Sequence, residues 1–208
     1  SSDTLYHELK KFKQETGIIM VAHIMDVGAS GAYYAALAAD AIVAQPTSVT
    51  GSIGVIMYRV DATALMQKIG IQTTEITAGE RKGFGSPFRP LSEEERRLYQ
   101  GFIDSLYDRF TGLVVQERKL SPERVRKVAD GRIFTSLEAQ EAGLIDGIGY
   151  LDDTVEMAKK KAHIDKATIV MYHRPGEYRA NLYSLSLINV DLGDLAEPGG
   201  KFLYLWCP

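Results

Sequence analysis

The chain predicts an α/β layered fold with mostly parallel strand pairing. Short β-branched apolar runs alternate with helical patterns along its length, the order that crossover-connected parallel sheets require. Its 208 residues, 45% apolar and 25% charged, suit one substantial core or two small ones. Gly17, Gly70 and the Gly- and Pro-rich stretch 79–90 fall between the runs.

Taken in order, Leu5, Leu9 and Phe12 share one helical face over residues 4–15, and Gly17 stops that helix. Residues 18–24 read as a buried strand, and Gly28-Ala29-Ser30-Gly31 as a turn. Residues 32–39 are Ala-rich and helical, and 41–44 form another short strand. Thr50-Gly51-Ser52-Ile53-Gly54-Val55 is a tight turn leading into an apolar strand. Asp61 is placed to cap a helix over 62–69, closed by Gly70. Alternation over 71–77 predicts a strand, and the Gly- and Pro-rich stretch 79–90 a loop. Ser92 and Glu95 form a capping box opening a long helix to about Lys119. Ser121-Pro122-Glu123 starts the next helix, with further helical turns at 137–142. Leu144-Ile145-Asp146 reads as a short strand or turn. Asp152 or Asp153 opens a helix through Ala162, and Ala167–Tyr172 reads as a last strand. One domain is expected over 1–173, followed by an arm over 174–208 with two apolar runs.

The net charge of −3 and the scattered Lys and Arg argue against a nucleic-acid surface. No apolar stretch is long enough to span a bilayer, and no signal peptide opens the chain. The lone Cys207 cannot form an internal disulfide. His7, His23, His163 and His173 lack metal-ligand spacing, and neither glycine-rich stretch matches a phosphate-binding fingerprint, so no cofactor is expected. His23 reads as a packed or hydrogen-bonded histidine rather than a base. Arg96, Arg97 and Arg109 read as a solvated helix face, and Tyr33 and Tyr34 as site-lining or core residues.

Two residues carry candidate chemistry. Ser30 lies between a strand and a helix, flanked by Gly28 and Gly31. Unpaired N–H groups point outward there, and Gly31 N–H is an oxyanion donor in position. Ser30 reads either as a nucleophile or as a plain N-cap. Lys82, in Gly79-Glu80-Arg81-Lys82-Gly83-Phe84-Gly85, reads either as a general base or as a solvated cation. A lysine works as a base only as the neutral amine, a state that apolar surroundings and nearby cations favour.

Several blocks resemble the signal peptide peptidase A family. They are Ala29-Ser30-Gly31-Ala32-Tyr33-Tyr34, Ala39-Asp40, Pro46 with Thr50–Val55, and Gly79–Lys82 followed by Ser86-Pro87-Phe88 and Glu93-Glu94-Glu95-Arg96. Gly131-Arg132-Ile133-Phe134-Thr135 with Ala142-Gly143-Leu144-Ile145-Asp146 completes the set, which spans about residues 5–162. The resemblance implies a ClpP/crotonase-like fold of repeated β-β-α units with a long helix and an extended C-terminal arm. It implies a serine endopeptidase with a Ser-Lys dyad: Ser30 as nucleophile, Lys82 as base and Ser52 hydrogen-bonded to the lysine. Its implied substrates are remnant signal peptides or other apolar extended peptides. It also implies a ring-shaped homo-oligomer sharing the dyad between subunits, and an extracytoplasmic domain on a bacterial membrane. The family's first strands, second oxyanion segment and N-terminal membrane anchor are expected ahead of Ser1 in a longer protein.

The family's Gly-Gly after the serine is Gly31-Ala32 here, a change a helix tolerates. Two other readings compete. A crotonase-type acyl-CoA enzyme predicts acyl-CoA binding and no need for Lys82. A non-catalytic scaffold module predicts indifference to loss of Ser30 or Lys82. The apolar tail 202–206 is expected to pack on a neighbouring subunit or lie in the substrate groove.

Overall fold

A computed structural model of the chain describes residues 2–170. The arm expected over 174–208 and its apolar tail lie outside the described residues, as does Tyr172. The fold is mixed α/β, built from two small sheets and seven helices among the described residues.

Helix α1 (Ser2–Thr16) buries Tyr6 and part-buries Leu9, while Leu5 and Phe12 stay half exposed. The buried face is therefore rotated from the Leu5–Leu9–Phe12 stripe, because the ring of Tyr6 packs edge-on to Tyr34 at 5.8 Å. Strands β1 (Val21–Ile24) and β2 (Val27–Ala29) follow, then α2 (Gly31–Ala36), β3 (Ala41–Ala44) and β4 (Val49–Gly51). Next come α3 (Thr63–Lys68), the long α4 (Glu93–Arg118) and α5 (Pro122–Val128). Strand β5 (Ile133–Thr135), α6 (Ser136–Ala142), β6 (Gly147–Ile148) and α7 (Leu151–Ala162) complete the order.

One sheet has the order β1-β3-β6, all parallel, and the other β2-β4-β5, with β5 antiparallel. The steps β1-β2 and β3-β4 thus each send their first strand to one sheet and their second to the other, and β5-β6 reverses that order. Strand β3 is buried at all four positions, as a central parallel strand must be.

The core runs from Tyr33 and Tyr34 on α2 and its C-cap Leu37 through Ile42 and Ile53 to Phe110 and Val114 on α4. Both tyrosines are fully buried, which settles them as core. Each buried hydroxyl has an acceptor: Tyr33 donates to Leu144 O at 2.7 Å and Tyr34 to Asp3 Oδ1. Arg109 donates to the same Asp3 oxygen, so this residue ties α4 to α1 rather than facing only solvent.

The capping boxes explain the helix starts. Ser92 and Glu95 open α4 as the sequence predicts, and Thr135 with Glu138 opens α6 in the same way. Pro122 sits in the first turn of α5 behind the Ser121 cap.

Three strand predictions fail. Residues 71–77 are exposed and pair with nothing among the described residues. An alternating pattern stabilises a strand only when a neighbour supplies the ladder. Residues 167–170 of the predicted 167–172 strand are likewise exposed and pair with nothing among the described residues, and the apolar run after Gly54 contributes only one bridging residue, Ile56. The 144–146 segment is a turn, with the strand starting at Gly147. Helix α3 starts one residue later than predicted; Asp61 Oδ1 nevertheless accepts from Thr63 N at 3.0 Å.

Candidate active site

Ser30 occupies the corner between β2 and α2. Its backbone angles, φ 53° and ψ −115°, lie where a side chain is strained. The corner is enforced from both sides: Ser30 N donates to Gly51 O at 2.8 Å, and Tyr34 N donates to Ser30 O at 2.9 Å. Although Ser30 holds the N-cap position, its hydroxyl makes no capping hydrogen bond. The side chain is thus not spent on the role that most often explains a serine there. At 2% exposure the residue is nearly closed off within one chain.

Ser52 stands beside it. The parallel register pairs Gly28 with Thr50 and Ala29 with Gly51, and the two serines are the next residues of their strands. Ser52 also has positive φ, at 48°, and its N–H donates to Arg132 O at 2.8 Å. Gly51 must be glycine: its φ is +84°, and an added Cβ would fall 2.5 Å from Phe134 Cδ2. Gly31 opens α2 immediately after Ser30, with its backbone at the first helical turn. Ser30, Gly31 and Ser52 therefore meet at the C-terminal ends of two adjacent strands.

Lys82 belongs to the segment between α3 and α4. It is exposed, on a run of tight turns from Gly79 to Ser86. It borders an open recess of about 310 Å³ lined by Glu75, Ile76, Thr77, Lys82, Phe84 and Ser86 among others. Neither Ser30 nor Ser52 lines that recess, and no hydrogen bond joins Lys82 to either serine among the described residues.

His23 is a packed histidine, as expected. Its Nδ1 is 2.7 Å from Thr154 Oγ1 on α7, and burial holds its pKa below the usual imidazole value. Its Nε2 is buried with no partner among the described residues. Among those residues no three His, Cys, Asp or Glu side chains converge to hold a metal, and no helix is long and apolar enough to cross a membrane.

Fold and corner together define an α/β protein with an uncapped, strained serine at a strand-to-helix turn. Residues 12–165 match the family model described as peptidase family S49. The chain belongs to that family, the signal peptide peptidase A family.

Among curated relatives, "Putative protease MJ0651" of Methanocaldococcus jannaschii is 36% identical over 83% of this chain and 55% of its own length. "Putative signal peptide peptidase SppA" of Enterococcus faecium is 36% identical over 79% of this chain and 48% of its own. "Serine protease SPPA, chloroplastic" of Arabidopsis thaliana is 35% identical over 92% of this chain and 29% of its own. The chain therefore spans about half the length, or less, of these relatives. A solved enoyl-CoA hydratase/isomerase family member shares 15% identity over 69% of this chain and 38% of its own, at a TM-score of 0.33, too slight a likeness to define the fold.

Sequence reasoning missed β5 and the structural part of Arg132. The signal was a β-branched and aromatic run, Ile133-Phe134-Thr135, set between Gly131 and the Thr135/Glu138 capping box.

Proposed function

We propose that this chain is the catalytic part of a serine endopeptidase that hydrolyses apolar, extended peptides, remnant signal peptides among them, at the bacterial membrane. Ser30 Oγ attacks the scissile carbonyl carbon, and its proton passes to the neutral Lys82 amine. Gly31 N–H stabilises the oxyanion. The lysine then returns the proton to the leaving amine, and water hydrolyses the acyl-enzyme with the same base. Ser52 orients the lysine amine by a hydrogen bond. The ClpP/crotonase-like arrangement of β-β-α units frames this corner.

The observation that carries the reading is the Ser30 backbone: a strained serine at a helix start whose hydroxyl does not cap the helix. Family membership and the adjacent Ser52 support it. Lys82, exposed and bordering a recess without Ser30, suits a dyad completed between neighbouring copies in a ring-shaped homo-oligomer.

A fluorophosphonate probe followed by mass mapping tests the nucleophile. Ser30 should carry the label in the wild type. Ser30→Ala and Lys82→Ala should each abolish hydrolysis of an apolar reporter peptide, and mixing the two variants should restore part of it. Label on another serine, or full turnover by Ser30→Ala, would end the proposal.

A further inference from the structure

The carboxylate of Glu95 is buried, 1% exposed, although it belongs to the first turn of α4. A capping box needs only its contact with the Ser92 amide, which Glu95 Oε2 accepts at 2.9 Å. Its remaining acceptor capacity is turned toward the segment that follows Lys82. Oε1 accepts from Arg89 Nη2 at 2.8 Å and from Gly85 N at 3.2 Å, and Oε2 from Arg89 Nη1 at 2.9 Å.

Arg89 Nη2 also reaches Gly83 O at 2.7 Å, the residue directly after Lys82. Arg59 adds a second hold, donating through Nη2 to Ser86 O at 2.6 Å and to Arg89 O. Between these anchors the chain has little freedom, since Lys82 N donates to Gly79 O, Phe84 N to Arg81 O and Ser86 N to Gly83 O. A buried anion stands only while its partners are in place, so Glu95 and Arg89 hold or fail together.

We infer that Glu95 is a positioning residue, which through Arg89 and the Gly85 amide fixes the path of residues 83–89 and thereby the place at which Lys82 presents its amine. The inference rests on the reading of Lys82 as the base. Arginine suits the link because its planar fork serves two carboxylate oxygens and a carbonyl at once, which a lysine cannot.

The test compares Glu95→Gln, Arg89→Ala, Arg89→Lys and Ser92→Ala in the full chain. Ser92→Ala removes a helix-capping bond and leaves the Arg89 links untouched. Turnover of an apolar reporter peptide is measured beside amide hydrogen exchange of residues 83–86. Glu95→Gln and both Arg89 variants should lose about 10²-fold in kcat, the scale of a misplaced catalytic group, with KM little changed. Their 83–86 amides should exchange faster. Ser92→Ala should keep kcat and slow exchange, even where its Tm falls as far. Should Glu95→Gln fail to fold, the Arg89→Lys comparison decides alone.

Unchanged kcat and exchange in the folded variants, or a kcat loss in Ser92→Ala equal to theirs, overturns the inference. Wild-type turnover by Lys82→Ala sinks the base reading separately. The exchange measurement needs no activity and still reports whether Glu95 holds the segment.

Discussion

Ser30 and Ser52 stand side by side at positive φ, 53° and 48°, one residue beyond the parallel pair Ala29 and Gly51. Two adjacent parallel strands therefore each end in a non-glycine residue at positive φ. Each is held by a backbone hydrogen bond to another strand region, Ser30 N to Gly51 O and Ser52 N to Arg132 O. Such strain persists only where surrounding structure over-determines it.

The strain at Ser30 is measurable. A residue in this region costs about 1–3 kcal/mol, and glycine adopts it freely at a cost of about 0.4–1 kcal/mol in the unfolded chain. Ser30→Gly should raise stability by about 1 kcal/mol in urea unfolding while eliminating peptide hydrolysis. A destabilised Ser30→Gly variant would show that the serine side chain contributes more to folding than its backbone withholds.

Gly51→Ala should act in the opposite direction. The new Cβ meets Phe134 Cδ2 at 2.5 Å and sits at φ +84°. A loss of about 2 kcal/mol or more in denaturant unfolding is expected from overpacking together with backbone strain. Stability within a few tenths of the wild type would mean that Phe134 yields easily.

His23 makes the fold acid-sensitive. Burial lowers its folded pKa below the unfolded value of about 6.5, so the unfolded chain binds its proton first as pH falls. Its contribution is complete above that value and is lost as pH drops through the folded pKa. Unfolding free energy should fall between pH 7 and pH 5 in the wild type and fall less in His23→Gln. Equal slopes in the two proteins would remove His23 as the cause.

Asp146 behaves similarly at lower pH. Burial pushes its carboxyl up, but the bidentate Arg118, the Ile42 N–H and the charges of Arg118 and Lys161 outweigh it and hold the pKa below the ordinary value. Its contribution is complete above the unfolded value of about 3.9 and disappears as pH falls through the folded one. The stability gap between wild type and Asp146→Asn should be widest near neutrality and narrow below about pH 4. A gap that is constant from pH 7 to pH 2.5 would assign the loss to packing.

Much of this was legible in the sequence for local reasons. Ser92 and Glu95 announced α4, Pro122 announced α5, and Gly17 and Gly70 closed their helices, because caps and stops act on neighbouring residues. The Gly28–Gly31 turn was legible in the same way. Failures came where structure depends on distant partners. Residues 71–77 have the alternation of a strand but no ladder, whereas Ile133–Thr135, only three residues long, pairs with β4 and becomes one. Glu95 read as a capping residue; nothing nearby in sequence revealed that its carboxylate would be buried against Arg89.

The hydrogen bond from Ser52 N to Arg132 O joins halves of the chain separated by α3, α4 and α5. Closing a loop of that size costs chain entropy that pairing of sequence neighbours does not. A ribosome must deliver most of the domain before the second serine is locked in place. Nascent or truncated chains ending before that strand would thus carry Ser30 without its finished surroundings, and the corner is complete only once synthesis has passed the returning strand.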